Sequence, residues 1–267
     1  MKKISILLLL CLNTLFLFAQ QSQETTAVKF PGNRFYIGIE YGIKSYNAFE
    51  REYDFIREDA AYYPSYYGGY SALSLTSFSS YLSINAEYRM LSNHIWISAG
   101  VQYSTMNSSI SKYSGSSHHE EYFYILLNQQ DNDSYYYRVT DLSYKSKYIG
   151  IPLDIYLSPL TSKYVSLYAK LSTDLNFRVA TDKQALFYLE EMNSKETEIL
   201  DLFDEPNSYY ATAGFGGGML IGQKDKINIR LEADLVSVML TPEAFGLVDQ
   251  NMGFGCTVSF LMPINNK

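Results

Sequence analysis

The nine residues from Ile227 to Leu235, INIRLEADL, alternate without a break: Ile227, Ile229, Leu231, Ala233 and Leu235 against Asn228, Arg230, Glu232 and Asp234. Period two is the signature of a strand with two unlike faces. A soluble sheet would turn the apolar face to a core. A sheet in lipid would turn it outward and keep the charges inside. Seven other segments repeat the pattern: RFYIGIEYGIK, Phe78 to Met90, Ile95 to Tyr103, KYIGIPLDIYLSP, YVSLYAKLSTDLNFRV, YYATAGFGGGMLIG and MGFGCTVSFLM. On one face the eight segments carry Glu40, Lys44, Glu87, Arg89, Asp154, Lys170, Asp174, Arg178, Arg230, Glu232 and Asp234. Apart from Lys147 at the edge of its segment the opposite face carries no charge, and Tyr and Phe recur near its ends. That distribution predicts lipid outside and a charged interior, with the aromatic rings as interface girdles.

The connections support the same architecture. Long polar segments follow the first, third and fifth strands, at about 47–76, 107–142 and 181–206. The second, fourth and sixth are followed by short turns, at Ser92-Asn93, Pro159 to Ser162 and Gln223 to Lys226. A connection of medium length, 241–250, precedes the last strand. Short turns on one side and long loops on the other predict an all-β fold: an eight-stranded antiparallel up-and-down transmembrane β-barrel with short periplasmic turns and long extracellular loops. A helical turn or two is expected near Gln184 to Met192 in the third long loop.

Composition narrows the setting. Charged residues are 18% of the 267, below the roughly 25% of a soluble domain, while aromatics reach 16% with 26 Tyr. Tyr suits boundaries that are apolar at one end and wet at the other. A net charge of −7 argues against a nucleic-acid partner. Lys2, Lys3, the apolar run Ile4 to Phe18 and the small Ala19 read as a secretory signal peptide, 1–19. Cys11 makes a poor lipoprotein acceptor because Leu10 precedes it where a small residue is expected. A polar leader, 20–33, would then lead into a barrel domain, 34–263. Removal of the signal leaves Cys256 without a disulfide partner. No other stretch has the roughly 18 continuous apolar residues of a membrane helix, so any crossing must be made by strands.

The segment Lys147 to Pro159 resembles a recurring strand of PorT-like outer-membrane β-barrel proteins, in which an aromatic, an aliphatic and an acid precede Ile-Pro-Leu. Tyr148, Ile149, Ile151, Pro152 and Leu153 match, and Gly150 stands where the acid is usual. The resemblance implies a signal peptide, an eight-stranded barrel and an outer-membrane location. Members share no uniform activity, and a few assist secretion of other proteins. Pro152 removes a ladder donor, so it should mark a bulge or a local break in pairing.

Motifs for chemistry are weak. GFGGGM, Gly214 to Met219, has no Gly-Lys-Ser/Thr, and Gly214, Gly216 and Gly218 share one strand face, as room for bulky neighbours would require. His118-His119-Glu120-Glu121 lacks the spacing of a zinc helix, and Asp131-Asn132-Asp133 lacks the glycine of a calcium loop, with Tyr136 in its place. No G-x-S-x-G occurs. The chain is therefore read as non-enzymatic, with no cofactor and no metal. Tyr62, Tyr63, Tyr66, Tyr67, Tyr70, Tyr135, Tyr136 and Tyr137 are the loop residues suited to binding. The partners expected are outer-membrane lipid and an extracellular or secretion-machinery protein. Eight strands enclose a space about wide enough for side chains to fill, so the interior charges should pair and plug it. The expected role is structural or interaction-based, through the Tyr-rich loops. The alternatives are a narrow channel or an accessory part of a secretion system, and a soluble ligand-binding β-barrel.

Overall fold

Alternation over long runs gives long strands. The computed structural model describes residues 34–49, 51, 53–57, 73–90, 94–112, 122–128, 134–223, 226–241 and 245–264. The segments read as signal peptide and leader lie outside them. The strands are β1 (Arg34–Phe49), β2 (Ile56–Arg57), β3 (Leu73–Met90), β4 (Ile95–Lys112), β5 (Phe123–Asn128), β6 (Ser134–Thr161), β7 (Val165–Phe187), β8 (Tyr209–Ile221), β9 (Asn228–Met239) and β10 (Asp249–Ile264). A 3-10 helix, Glu190–Lys195, and a short helix α1, Glu196–Leu200, follow β7.

All pairings are antiparallel, and the sheet closes on itself. Its order is β2-β5-β6-β4-β3-β1-β10-β9-β8-β7, and β7 pairs back onto β6. The fold is thus an all-β antiparallel sheet of ten strands closing in a ring. Ten differs from the expected eight because β2 and β5 come from segments read as polar loop. They extend the sheet from β6 outside the closed circuit. The β5 sequence, FYILLN, lacks the alternation that marks a half-buried strand, and five of the six residues Tyr122 to Leu127 are buried.

The loop boundaries also shift. β4 runs on to Lys112 and β6 begins at Ser134, so the expected loop 107–142 is mostly strand. β7 likewise continues to Phe187 through the start of the expected third loop. The helical turns come at Glu190–Leu200, later than Gln184 to Met192. In each case the strands run past the point where outward residues turn from apolar to polar. Asn107, Ser109, Ser143 and Lys145 are outward, so composition there reads as loop although the backbone stays paired: Asn107 with Lys145, Ser109 with Ser143.

Inside the ring, alternation places side chains in layers, and the order of the layers follows from the strand positions. At the short-turn end, Tyr36, Trp96, Tyr156, Tyr168, Leu220 and Leu261 form a buried cluster. Toward the long-loop end, Tyr46, Met106, Tyr148, Tyr210, Met239 and Phe245 form a second. Beyond it lies a larger apolar cap that includes Leu73, Ile110, Phe123, Ile125, Val139, Leu142, Leu200 and Leu247. Inward glycines make room for the large rings: a Cβ on Gly42 would run into the Tyr81 ring, and one on Gly218 into the Tyr168 hydroxyl and the Leu231 carbonyl. The glycine-rich stretch of β8 is thus a packing device.

Two local features tune the pairing. Pro152 sits opposite Asp174 of β7, but the ladder to β4 skips from Ala99–Leu153 to Gln102–Gly150. The missing donor interrupts one ladder without shifting register. In β9, Leu235 and Val236 both face outward, and the registers to β8 and to β10 both slip there. One extra residue forms a bulge, which bends the strand and increases its twist.

Candidate functional site in the ring interior

Between the two aromatic layers lies the chain's concentration of buried charge. Glu40, Lys44, Glu87, Arg89, Asp154, Lys170, Asp174, Arg230, Glu232 and Asp234 are each at most 7% exposed. They come from β1, β3, β6, β7 and β9, each with its charges on the inward set of alternate residues. Arg230 is the hub. Its Nη2 lies 2.9 Å from Glu40, its Nη1 2.6 Å from Glu87, and its Nε 2.9 Å from Glu232. Arg89 pairs with Glu87, and its guanidinium stacks 3.8 Å from the centre of the Tyr36 ring. Lys170 bridges Glu232 at 2.7 Å and Asp234 at 3.2 Å. Lys44 holds Asp174 at 3.1 Å, to which the Thr212 hydroxyl also donates at 3.0 Å. The Asp154 carboxylate accepts from the Tyr156 hydroxyl at 3.3 Å.

Desolvating one carboxylate or ammonium costs several kcal/mol, and opposed partners at hydrogen-bond distance offset that cost. A planar guanidinium serving three carboxylates suits this place, because its donors spread in a fixed fork. Around the network, neutral groups of the same inward face complete the packing. Asn85 and Ser259 each donate to Glu40, the Tyr168 hydroxyl donates to Glu232, and Tyr81 shares a hydrogen bond with Thr257.

Arg178 does not join this cluster. It is half-buried near the long-loop end, 3.0 Å from Glu205. The parity of β7 put it on the charged face, but it stands where β7 leaves its pairing with β8, beside the 201–208 segment. Tyr135, Tyr136 and Tyr137 lie in β6, not in a loop, with Tyr135 and Tyr136 exposed. Tyr62, Tyr63, Tyr66, Tyr67, Tyr70, His118-Glu121 and Asp131-Asp133 lie outside the described residues. His94 sits at the short turn, its Nδ1 2.8 Å from the Ser158 carbonyl.

Each interior carboxylate lies within 4.0 Å of a cation or accepts from a hydroxyl. Among the described residues no group of three or more His, Cys, Asp or Glu side chains is arranged to hold a metal ion. What the network can do is fill and lock the ring. The interior charges are legible in the sequence, and the apolar cap is not. Its signal was available in Phe123, Ile125, Val139, Leu142 and Leu247, apolar residues scattered through segments otherwise read as polar loops.

No protein family and no curated protein matches the chain. Among solved structures it is similar to the translocator domain of the autotransporter NalP from Neisseria meningitidis, at 11% identity and a TM-score of 0.32. That likeness covers 94% of this chain and 96% of that one. At this level of similarity the architecture rests on the strand pairing alone.

Proposed function

We propose that the ring is an eight-stranded transmembrane β-barrel of a bacterial outer membrane, non-enzymatic and closed to solutes, acting through its long-loop end. The single observation that carries this reading is the outward face. Ile84 is 61% exposed, Val101 62%, Leu171 52% and Phe260 53%, while ten charged side chains are buried inside. In water that arrangement would expose a continuous apolar belt, which soluble monomers avoid. In lipid it is the expected one. A soluble ligand-binding barrel would need the reverse.

The height of the belt fits. On β6 outward apolar residues run from Ile149 to Leu160, a length that rises roughly 25–30 Å at a tilt of about 40°. Phe78, Tyr103, Phe177 and Tyr209 lie near its upper edge, and Phe35, packed at a tilt against Tyr88, and Tyr164 near its lower one. Such rings favour the membrane–water boundary. The resemblance of Lys147 to Pro159 to PorT-like proteins points the same way.

The interior favours a plug over a pore, because two aromatic layers and an apolar cap bracket the ion pairs. Reconstitution into planar bilayers tests this. The plugged reading expects no steady conductance. Stable currents of the size of an open porin would refute it.

A further inference from the structure

The buried charges of the ring interior do not balance. Glu40, Glu87, Asp154, Asp174, Glu232 and Asp234 stand against Lys44, Arg89, Lys170 and Arg230, so carboxylates exceed cations by two. An excess of charge is costly between the aromatic layers that close the ring, because burial strips it of water. Among the described residues, Asp154 is the one of these carboxylates with no cation within 4.0 Å. It accepts from the Tyr156 hydroxyl. Lys170 acts on it from farther away while holding Glu232 and Asp234, and Glu40, Asp174 and Glu232 add like charge to its surroundings.

Neutral oxygens face the same place. Ser98 of β4 is in register with Asp154 of β6 and with Glu87 of β3, all on the inward face. The Ser98 Oγ is buried and has no hydrogen-bond partner. Asn85 of β3 donates its Nδ2 to Ser83 at 3.0 Å and to Glu40 at 3.4 Å. Its Oδ1 lies over Gly100, where a Cβ would collide with it, and also has no partner. Gly100 and Ser98 are successive residues of one face of β4. The Asn85 Oδ1, the Ser98 Oγ and the Asp154 carboxylate therefore converge across three adjacent strands, within the reach of cross-strand neighbours.

We infer that a small monovalent cation, sodium or potassium, is bound inside the ring by Asp154, Ser98 and Asn85. One such ion takes all three oxygens as ligands and offsets part of the excess charge, whereas a proton bridges only two atoms. Calcium draws on about six to eight oxygens, several of them carboxylate, which this wall does not offer. The inference rests on the closed interior proposed above, because in an open pore mobile ions would balance the charge without a site.

The test uses the full chain folded in detergent. Its thermal unfolding is followed by heat-dependent gel mobility in sodium, potassium and choline chloride at one ionic strength, choline being too bulky for the site. The midpoint should rise by roughly 5 °C or more from choline to the preferred small ion, and climb with that ion's concentration. Asp154→Asn should abolish the difference between salts. Ser98→Ala keeps every charge, and it should raise the concentration needed for half the shift at least about threefold. It tests the site even where Asp154→Asn does not fold. Lys195→Glu, outside the ring, should respond as the unsubstituted chain does. Equal midpoints in all three salts would overturn the site, as would an undiminished salt response in Asp154→Asn or Ser98→Ala. Planar-bilayer conductance of the same samples separates the two readings. If no steady current flows and the salts act alike, the plug stands and the site falls. If currents of the size of an open porin flow, both fall.

Discussion

At the residue scale the account turns on how single buried charges are satisfied. Arg230 is fully buried and serves Glu40, Glu87 and Glu232 at once. Arg230→Met keeps the volume but strands three carboxylates. The expected loss is about 3–5 kcal/mol of unfolding free energy in lipid vesicles, read by urea titration. A loss below about 1 kcal/mol would mean the network is not the lock described here. A second residue-level expectation concerns the long-loop end. The Lys183 ammonium beside Glu205, with Arg178 next to it, holds that carboxyl below its ordinary value of 4.5. A depressed acid contributes stability that is fully present above its unfolded value and lost as pH falls through the lower folded one. The protection factors of the 201–208 amides, taken relative to the intrinsic exchange rate at each pH, should therefore be unchanged from neutral pH down to about 5 and should fall at more acidic pH. Because Glu205 is largely exposed, the effect is local and small. Rising protection on acidification would contradict the assignment.

At the scale of strands and loops, the alternating ring is legible in the sequence and the cap is not. Strict alternation marks β1, β3, β4, β6, β7, β8, β9 and β10, because an apolar outer face and a charged inner one leave no freedom in parity. The bulge at Leu235 and Val236 was visible only as two adjacent apolar residues, which a simple alternation count treats as the end of a pattern. β5 was missed because burial on both faces removes the alternation that marks a strand. Arg178 was misplaced because parity gives a side chain's direction and not its height along the strand. Two substitutions separate the elements. Leu231, 42% exposed on the outer face of β9, meets the acyl layer in this account. Leu231→Asp should sharply reduce assembly into membranes, at a cost of up to about 2–4 kcal/mol near the midplane. Asn228→Ala removes only hydrogen bonds to the Lys226 and Gln223 carbonyls at the adjoining turn, so assembly should persist. Equal assembly of the two variants, measured by membrane recovery, would reverse the orientation of β9. In the cap, Phe123 and Ile125 are fully buried. Replacing both with Ser should speed hydrogen exchange in β5 and the first residues of β6 while β3, β9 and β10 keep their protection. A loss spread evenly over the ring would show that cap and ring unfold as one unit.

On the scale of the whole molecule, the inside and outside of the sheet are reversed relative to a soluble barrel. Charge, aromatic rings and an apolar cap fill the ring, and aliphatic side chains cover it. Each strand contributes to both surfaces, so the ring can be at ease only where its outer face meets something apolar. On the transmembrane reading proposed above, the long-loop end, where β6 and β7 continue past the belt and the cap closes over the charges, is the surface outside lipid. The central claim is that lipid is the solvent of the outer face, and fractionation of cells expressing the full chain tests it most directly. The account predicts recovery in the outer-membrane fraction, extraction only by detergent, and a gel band that changes mobility on boiling. Recovery as a soluble, detergent-free monomer would contradict it.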